Sequence, residues 1–161
     1  MPEDLYTELA HIQGLELGPA LERLDNRRDI YEKSLRILLD NLPGLLARLP
    51  AELEAGDIRG FAVDLHGLKG SLYSIGAQAA GNHALELEKH AGDDTAFCAE
   101  QLRELTGEVQ GLSDALGVCL KERGTAAIFT APSARVLVVD DMPSNIVVVE
   151  GLIAPCQMKV D

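Results

Sequence analysis

The chain is organised as long amphipathic segments separated by short breaks, and this pattern constrains its fold more than any other feature. The first long segment runs from about Asn26 to Gly56 and repeats leucine at spacings of three and four residues. Such spacing places apolar side chains on one face of a helix. Pro43 is expected to kink or interrupt this helix, and Pro50 is a second weak point. The apolar face consists of Leu35, Leu38, Leu39, Leu42, Leu45, Leu46, Leu49 and Leu53.

Three further helical segments follow. Asp57 is expected to cap a helix that ends at Gly76, and the next helix covers about residues 78–91. A last long helix begins after Asp94. With a short helix in residues 17–26, these segments predict an all-α fold, an antiparallel four-helix bundle with a short N-terminal helix. The last helix carries a seam of heptad type, formed by Cys98, Leu102, Leu105, Val109, Leu112, Leu116 and Cys119.

The pattern changes after residue 123. Residues 124–134 have no helical period and include Pro132, which indicates a linker. Residues 135–161 then show a strand pattern, a helix pattern and the start of a second strand, an incomplete β-α-(β) order. We therefore predict a bundle over residues 1–123, followed by the linker and an incomplete α/β segment.

Composition excludes several classes of function. The net charge of −12 opposes the attraction to phosphate that dominates nucleic-acid binding, so no nucleic-acid partner is expected. No apolar run approaches the roughly 20 residues that span a bilayer, and the acidic N-terminus does not have the pattern of a signal peptide. The cysteines at 98, 119 and 156 form no C-x-x-C pair, which fits a reducing cytoplasm.

The helix predicted over residues 57–76 carries the residue best suited to chemistry. At about 100° per residue, His66 lies about 140° from the centre of the apolar stripe of this helix, and it is therefore predicted to project outward. A neutral imidazole is a nitrogen nucleophile near neutral pH. The stripe consists of Phe61, Leu65, Leu68, Leu72 and Ile75, and the outward side also carries Arg59, Ala62, Val63, Lys69, Gly70 and Tyr73.

Two neighbours of His66 suit the transfer of an anionic group. Lys69, one turn along, can attract a phosphoryl group, and in an exposed setting this attraction is expected to contribute about 1 kcal/mol. Gly70 lies four residues after His66, where a side chain would crowd the ring, so the glycine opens an approach path. Gly60, Gly67 and Gly70 each weaken a helix by roughly 1 kcal/mol relative to alanine, which indicates a packing or access requirement.

These residues resemble a known family. Residues 66–71, HGLKGS, and 75–77, IGA, together with Leu85 and Glu88, resemble the H-x-L-K-G signature and downstream segment of histidine-containing phosphotransfer (HPt) domains. The resemblance covers about residues 10–123. It implies a phosphorelay intermediate of two-component signalling, in which His66 accepts a phosphoryl group from, and returns it to, an aspartate of a receiver domain.

The resemblance also implies roles and partners. Lys69 would assist the transfer and Gly70 would give access to His66. The partners would be a response-regulator receiver domain and a hybrid histidine kinase. The bundle itself would need no cofactor, and Mg²⁺ would belong to the receiver partner. The chain contains no P-loop motif of the G-x-x-x-x-G-K-[ST] type, so we expect a stoichiometric carrier without ATP-dependent kinase activity.

The C-terminal segment resembles another family. Residues 135–141, RVLVVDD, and 143–145, PSN, are similar to the first strand and first helix of a receiver domain. The resemblance implies that Asp140 and Asp141 are the acidic pair that helps to bind Mg²⁺ in a complete receiver, although no metal is expected in this fragment. We interpret the chain as part of a longer signalling protein. Unpaired strand edges in such a fragment would favour self-association.

Three alternatives remain at this point. The bundle could be a docking scaffold that binds receiver or kinase domains without chemistry, or a hydrolase that uses His66, although no pocket or partner nucleophile is indicated. His66 could also be an ordinary surface histidine beside glycines that permit helix packing. His83 and His90 could share a surface metal site with Glu86, but solvated side chains are the simpler interpretation.

Overall fold

Six helices make up the N-terminal part of the chain. The computed structural model describes residues 4–121, 135–136 and 159–160. The chain divides into two units, Met1–Glu122 and Arg123–Asp161. The helices of the first unit are α1 (Leu5–Ala10), α2 (Leu17–Arg23), α3 (Arg28–Ala55), α4 (Ile58–Ile75), α5 (Gln78–Lys89) and α6 (Thr95–Lys121).

The four longer helices form the predicted bundle. Breaks of two to five residues join α3 to α4, α4 to α5 and α5 to α6. Helix α4 packs against α3 and α5, and α6 closes the ring by packing against α5 and α3. The all-α bundle is therefore confirmed. Helix α1, which packs against α6, was not predicted, because six residues are too short to show a helical period.

The core is made of apolar side chains, and no polar or charged side chain is buried within residues 4–121. The buried residues of α4 are the five members of its predicted stripe. The predicted seam of α6 is correct except at its end, where Leu120 is buried and Cys119 is half-buried. A strict heptad drifts by about 20° per repeat on a straight α-helix, so the last buried position moves on by one residue.

Pro43 was expected to kink or interrupt α3; the interruption is wrong, and the kink stays a prediction. Helix α3 is continuous from Arg28 to Ala55 and contains both Pro43 and Pro50. Each proline removes only one backbone hydrogen bond, and Leu42 and Leu49 are fully buried beside them. The burial of the leucine face on both sides of Pro43 therefore holds the helix together.

Both ends of α4 are capped as predicted. The Asp57 side chain accepts a hydrogen bond from the backbone N–H of Gly60 at 2.9 Å. Gly76 closes the helix with a φ of +89°, a left-handed conformation that glycine adopts without strain. A Cβ at this position would also lie 2.5 Å from the carbonyl oxygen of Glu16, so the segment before α2 approaches the helix end closely.

The N-terminal segments hold the C-terminal turn of α4 through hydrogen bonds to its carbonyl groups. The Tyr31 hydroxyl donates to the carbonyl of Ile75 at 2.8 Å, and an Arg23 guanidinium N–H donates to that of Tyr73 at 2.6 Å. The backbone N–H of Glu16 donates to the Gly76 carbonyl at 2.8 Å. Tyr31 and Glu16 thereby satisfy acceptors that a helix end otherwise leaves unpaired, while the Tyr73 carbonyl also accepts the backbone N–H of Gly76 at 3.1 Å.

The described part of the second unit is a pair of two-residue strands. Strand β1 (Arg135–Val136) pairs in parallel with β2 (Lys159–Val160), Arg135 opposite Lys159. The predicted linker and the predicted helix of this segment lie outside the described residues, so the receiver-like interpretation stays a prediction. Among the helices described in residues 4–121, none combines the length and the apolar character needed to cross a membrane.

Candidate functional site

Helix α4 presents His66 on its outer surface, as the periodicity predicted. The His66 side chain is 68% exposed. Its Nδ1 lies 2.9 Å from Oε1 of Glu88, which is on α5. Within residues 4–121, no hydrogen bond to Nε2 is present. The imidazole is thus held through one nitrogen while the other faces the surface.

Lys69 completes a triangle with His66 and Glu88. The Lys69 Nζ donates to Oε2 of Glu88 at 2.7 Å and lies 3.1 Å from Nδ1 of His66. The Lys69 side chain is only 16% exposed, so the expectation of an exposed lysine was wrong. Its aliphatic stem lies along the bundle surface while its ammonium group reaches the carboxylate.

The charge of Glu88 is set by its two neighbours. Partial burial raises the pKa of the Glu88 carboxyl, but the hydrogen bonds from Lys69 and His66 outweigh this effect, so the pKa lies below its ordinary value. Glu88 is therefore a carboxylate at neutral pH, and a carboxylate can only accept hydrogen bonds.

The tautomer of the imidazole depends on the two groups that Nδ1 contacts, Oε1 of Glu88 at 2.9 Å, an acceptor, and Nζ of Lys69 at 3.1 Å, a donor. A proton on Nδ1 makes a charge-assisted hydrogen bond to Glu88, whereas a bare Nδ1 accepts from Lys69 but places its lone pair against the carboxylate oxygen. The contact to Glu88 is the shorter of the two, and Lys69 already donates to Oε2 of Glu88 at 2.7 Å. We therefore assign the neutral ring as the Nδ1–H tautomer. In this form the lone pair is on Nε2, the nitrogen that faces the open surface.

The surface around His66 has room for a large reactant. Gly67 and Gly70 are exposed, and a Cβ built at either would meet no other atom within 4 Å. Internal packing therefore does not require glycine at these two positions. Val63, one turn before His66, is an exposed apolar side chain. Tyr73, predicted on the same side, leans toward α5, where its ring packs against Gly81.

Other sequence candidates do not join this site. His83 hydrogen-bonds Glu108 and Gln101, both on α6, while His90 pairs with Asp93, so these two histidines do not form the metal site considered above. Within the described residues, no group of three or more His, Cys, Asp or Glu side chains could hold a metal ion. Asp140 and Asp141 lie outside the described residues.

Glu88 is the one member of the triangle with His66 and Lys69 for which no role was predicted from the sequence. A signal was present in the hairpin geometry. The α4–α5 turn is centred near Ala77, and residues equally distant from it lie level in an antiparallel pair. His66 precedes Ala77 by eleven residues and Glu88 follows it by eleven. Tyr73 and Gly81 are likewise equally distant from Ala77, by four residues each, and they are in contact.

One family model matches the chain over an interval that contains this site. The model of the Hpt domain family matches residues 33–115, just over half of the 161-residue chain. The matched interval includes His66, Lys69, Gly70 and Glu88. Comparison with curated proteins and with solved structures found no match.

Proposed function

The chain belongs to the Hpt domain family, which indicates phosphotransfer in two-component signalling, and on this premise we propose that His66 carries the phosphoryl group as a phosphorelay intermediate. His66 would accept the group from the aspartate of a receiver domain and return it to such an aspartate. One observation carries the proposal: Nδ1 of an exposed imidazole is held by Glu88 while Nε2 faces open surface.

The forward step follows from the assigned tautomer. The Nε2 lone pair attacks the phosphorus of the receiver's acyl phosphate, and the bond from phosphorus to the aspartate oxygen breaks. The aspartate leaves as a carboxylate with the electron pair. The ring becomes an N-phosphorylated imidazolium that keeps its proton on Nδ1, where the negative charge of Glu88 stabilises the new positive charge.

The return step uses the same proton. A phosphorylated ring that stays protonated on Nδ1 can leave as a neutral imidazole when a receiver carboxylate attacks the phosphorus. Glu88 holds that proton in place and thereby favours transfer in both directions. Its hydrogen bond also fixes the ring orientation, so Nε2 points to the surface before a partner docks.

Lys69 serves two purposes in this proposal. Its ion pair with Glu88 offsets part of the charge of the carboxylate and fixes its position. Because its ammonium lies 3.1 Å from the ring, it also adds positive charge close to the incoming phosphoryl oxygens. Interactions of such partly screened charges contribute up to about 1 kcal/mol.

The partners follow from this chemistry. The donor and acceptor are proposed to be receiver aspartates, one of them in a hybrid histidine kinase, and the receiver would supply the Mg²⁺ that neutralises phosphoryl oxygens. The bundle would act as a stoichiometric carrier. Cys98 is free and buried, which fits a reducing compartment, and we propose that the relay operates in the cytoplasm.

The direct test is phosphorylation by a receiver. The chain is incubated with a phosphorylated receiver and Mg²⁺, and the phosphoryl label is tested for stability in acid and in alkali. We expect an acid-labile, alkali-stable label on the wild type that is absent from His66→Gln. The control is circular dichroism, which should show the same helix content in both proteins because His66 is exposed.

The opposite outcome would favour the docking alternative. If a panel of receivers binds the bundle but none transfers a label, and His66→Gln binds them equally well, the protein is a scaffold. A label that persists in His66→Gln would place the phosphoryl group on another residue and would contradict the proposal.

A further inference from the structure

A groove on another side of the bundle has no part in the phosphotransfer site. It has a volume of about 830 Å³ and is lined by the end of α1 with the following loop, the start of α5 and the C-terminal half of α6. Ala79 lines it, and this residue lies nine positions before Glu88 on α5, about 180° around the helix. Helix α5 therefore separates the groove from His66.

Glycine keeps this groove open. Gly107 and Gly111 lie on the groove side of α6, followed one turn later by Ala115. Neither glycine has a positive φ, and a Cβ at either would meet no atom within 4 Å. Glycine weakens a helix relative to alanine, so neither the backbone nor internal packing accounts for these two residues. Their effect is to leave a concave, small-residue surface along about three turns of α6.

The groove ends in apolar side chains. Val118 lines it at the C-terminal end and is 67% exposed, while Leu112 and Cys119 form part of its floor. From residue 107 to residue 119 the groove follows α6 for about 18 Å, the length of a helix of about 12 residues. An apolar groove of this length is the shape that receives one face of an amphipathic helix.

The charge beside the groove is negative. Glu108 lines it, and Glu104 and Glu100 continue the same face of α6 at intervals of four residues. Within residues 4–121, neither Glu100 nor Glu104 has an ion-pair partner within 4 Å. Arg103 lies about 60° around α6 from Glu100 and lines a separate groove with residues of α3. Glu108 contacts His83, and Glu104 accepts a hydrogen bond from the neutral Gln101 side chain at 3.4 Å, so the charges of Glu100 and Glu104 have no cationic partner among the described residues. These two carboxylates form an acidic border at the N-terminal end of the apolar groove.

We propose that this groove binds a basic amphipathic helix of another protein. Apolar side chains of that helix would occupy the space left open by Gly107 and Gly111, and its lysine or arginine side chains would pair with Glu100 and Glu104. Such binding would leave Nε2 of His66 accessible, so the bundle could be recruited by one partner while it exchanges phosphoryl groups with another.

A designed peptide tests this proposal. The probe is an 18-residue helix with leucine on one face and lysine on the other, and its matched control carries glutamate in place of lysine. Binding is measured by fluorescence anisotropy at 0.1 M salt. We expect binding of the lysine peptide at least tenfold tighter than that of the glutamate peptide.

Two variants separate the groove from general charge attraction. Gly111→Leu fills the groove without changing any charge and should weaken binding of the lysine peptide at least tenfold. Gly117→Leu makes the same substitution on the opposite side of α6, where a Cβ also meets no atom within 4 Å, and should leave binding unchanged. Circular dichroism checks that both variants remain folded, and both should accept label from a receiver as the wild type does.

Three results would overturn the proposal. Equal binding by wild type and Gly111→Leu would show that the peptide is attracted by charge alone. Equal binding of the lysine and glutamate peptides would remove the role of the acidic border. A concentration-dependent dimer of the bundle that Gly111→Leu dissociates would show that a second copy of the chain occupies the groove instead.

Discussion

His66 and His83 make the same kind of contact through Nδ1 but differ in the surroundings of Nε2. Each lies on a bundle helix and brings Nδ1 within hydrogen-bond distance of a glutamate on the next helix, at 2.9 Å for Glu88 and 3.2 Å for Glu108. The Nε2 of His83 also lies 3.1 Å from Gln101, and its side chain is 16% exposed. His66 is 68% exposed. Both histidines therefore have a glutamate at Nδ1, and what distinguishes His66 from His83 is an Nε2 without a hydrogen-bond partner among the described residues.

Replacement of each histidine by glutamine, one at a time, should give the largest difference in phosphorylation by a receiver. His66→Gln should abolish phosphorylation by a receiver, because no nucleophilic nitrogen remains at the surface. His83→Gln should accept the label at the wild-type rate, since neither nitrogen of His83 is available for attack. Radiolabel incorporation over time measures both variants. A labelled His66→Gln, or an unlabelled His83→Gln that is still folded, would remove the basis of the comparison.

The second-largest effect on the transfer rate is expected from a bulky side chain placed on the surface beside Nε2 of His66. Gly70→Leu should slow transfer from a receiver by about 10- to 100-fold, because displacement of a partner by about an ångström can reduce a rate by this much. The helix should not weaken, since leucine favours it over glycine. Rapid-quench kinetics measure the rate, and Gly117→Leu serves as the control. A Gly70→Leu rate equal to the wild-type rate would mean that the partner approaches from elsewhere.

Loss of the carboxylate beside Nδ1 has a smaller effect. Glu88→Gln keeps an acceptor for Nδ1–H but removes the negative charge, so transfer should slow by about tenfold, or about 1.4 kcal/mol, near the lower limit for a hydrogen bond to a charged group. Rapid-quench kinetics measure it. The same change in His83's partner, Glu108→Gln, should leave the rate unchanged, and a slowed Glu108→Gln would contradict the assignment.

The charge of Glu88 also predicts a dependence on pH. Because its pKa is lowered in the folded protein, Glu88 contributes stability above its unfolded pKa of about 4.3, and this contribution is lost as the pH falls through the folded value. The difference in unfolding free energy between wild type and Glu88→Gln should therefore be present at pH 7 and vanish well below pH 4. Urea titrations across this range test the sign.

Removal of the lysine is expected to slow transfer by about three- to fivefold. Lys69→Gln leaves the Glu88 carboxylate without its ion pair and takes positive charge away from the phosphoryl group, an effect of up to about 1 kcal/mol. Lys89→Gln is the matched control, because Lys89 pairs with Glu86 on an exposed part of α5. Equal rates for the two variants in the same kinetic assay would show that Lys69 has no part in transfer.

The smallest effect concerns stability. His83 joins α5 to α6 through Glu108 and Gln101, so His83→Gln should lower the free energy of unfolding by about 1 kcal/mol. His66→Gln breaks only an exposed pair and should change it by less than about 0.5 kcal/mol. Urea denaturation compares the two. A larger loss in His66→Gln would mean that the site also holds α4 to α5.

Much of the bundle could be predicted because burial leaves a period in the sequence. The stripe of α4 fixes the outward direction of His66, and the caps at Asp57 and Gly76 fix the ends of the helix. These features depend on residues close together in the chain, so one sequence is enough to show them. The interruption predicted at Pro43 failed because tertiary burial of the flanking leucines outweighs one lost hydrogen bond.

The contacts of the site were harder to predict because they join two helices. Periodicity shows which face of α5 is buried, but the partner of a half-buried glutamate depends on the register between α4 and α5. The low exposure of Lys69 has the same origin, since the α5 carboxylate draws its ammonium inward. The register between α4 and α5 could have been predicted from the equal distance of His66 and Glu88 from the turn at Ala77.

The hydrogen bonds at the end of α4 extend the part of the chain that folds as one cooperative unit to residues before the family match. The family match starts at residue 33, yet Glu16, Arg23 and Tyr31, which supply donors to the last turn of α4, all precede it. Each acceptor left unpaired on removal of this lead-in would destabilise the helix by about 1 kcal/mol. The stretch of sequence that identifies the family is therefore shorter than the stretch that must fold together to keep His66 in place.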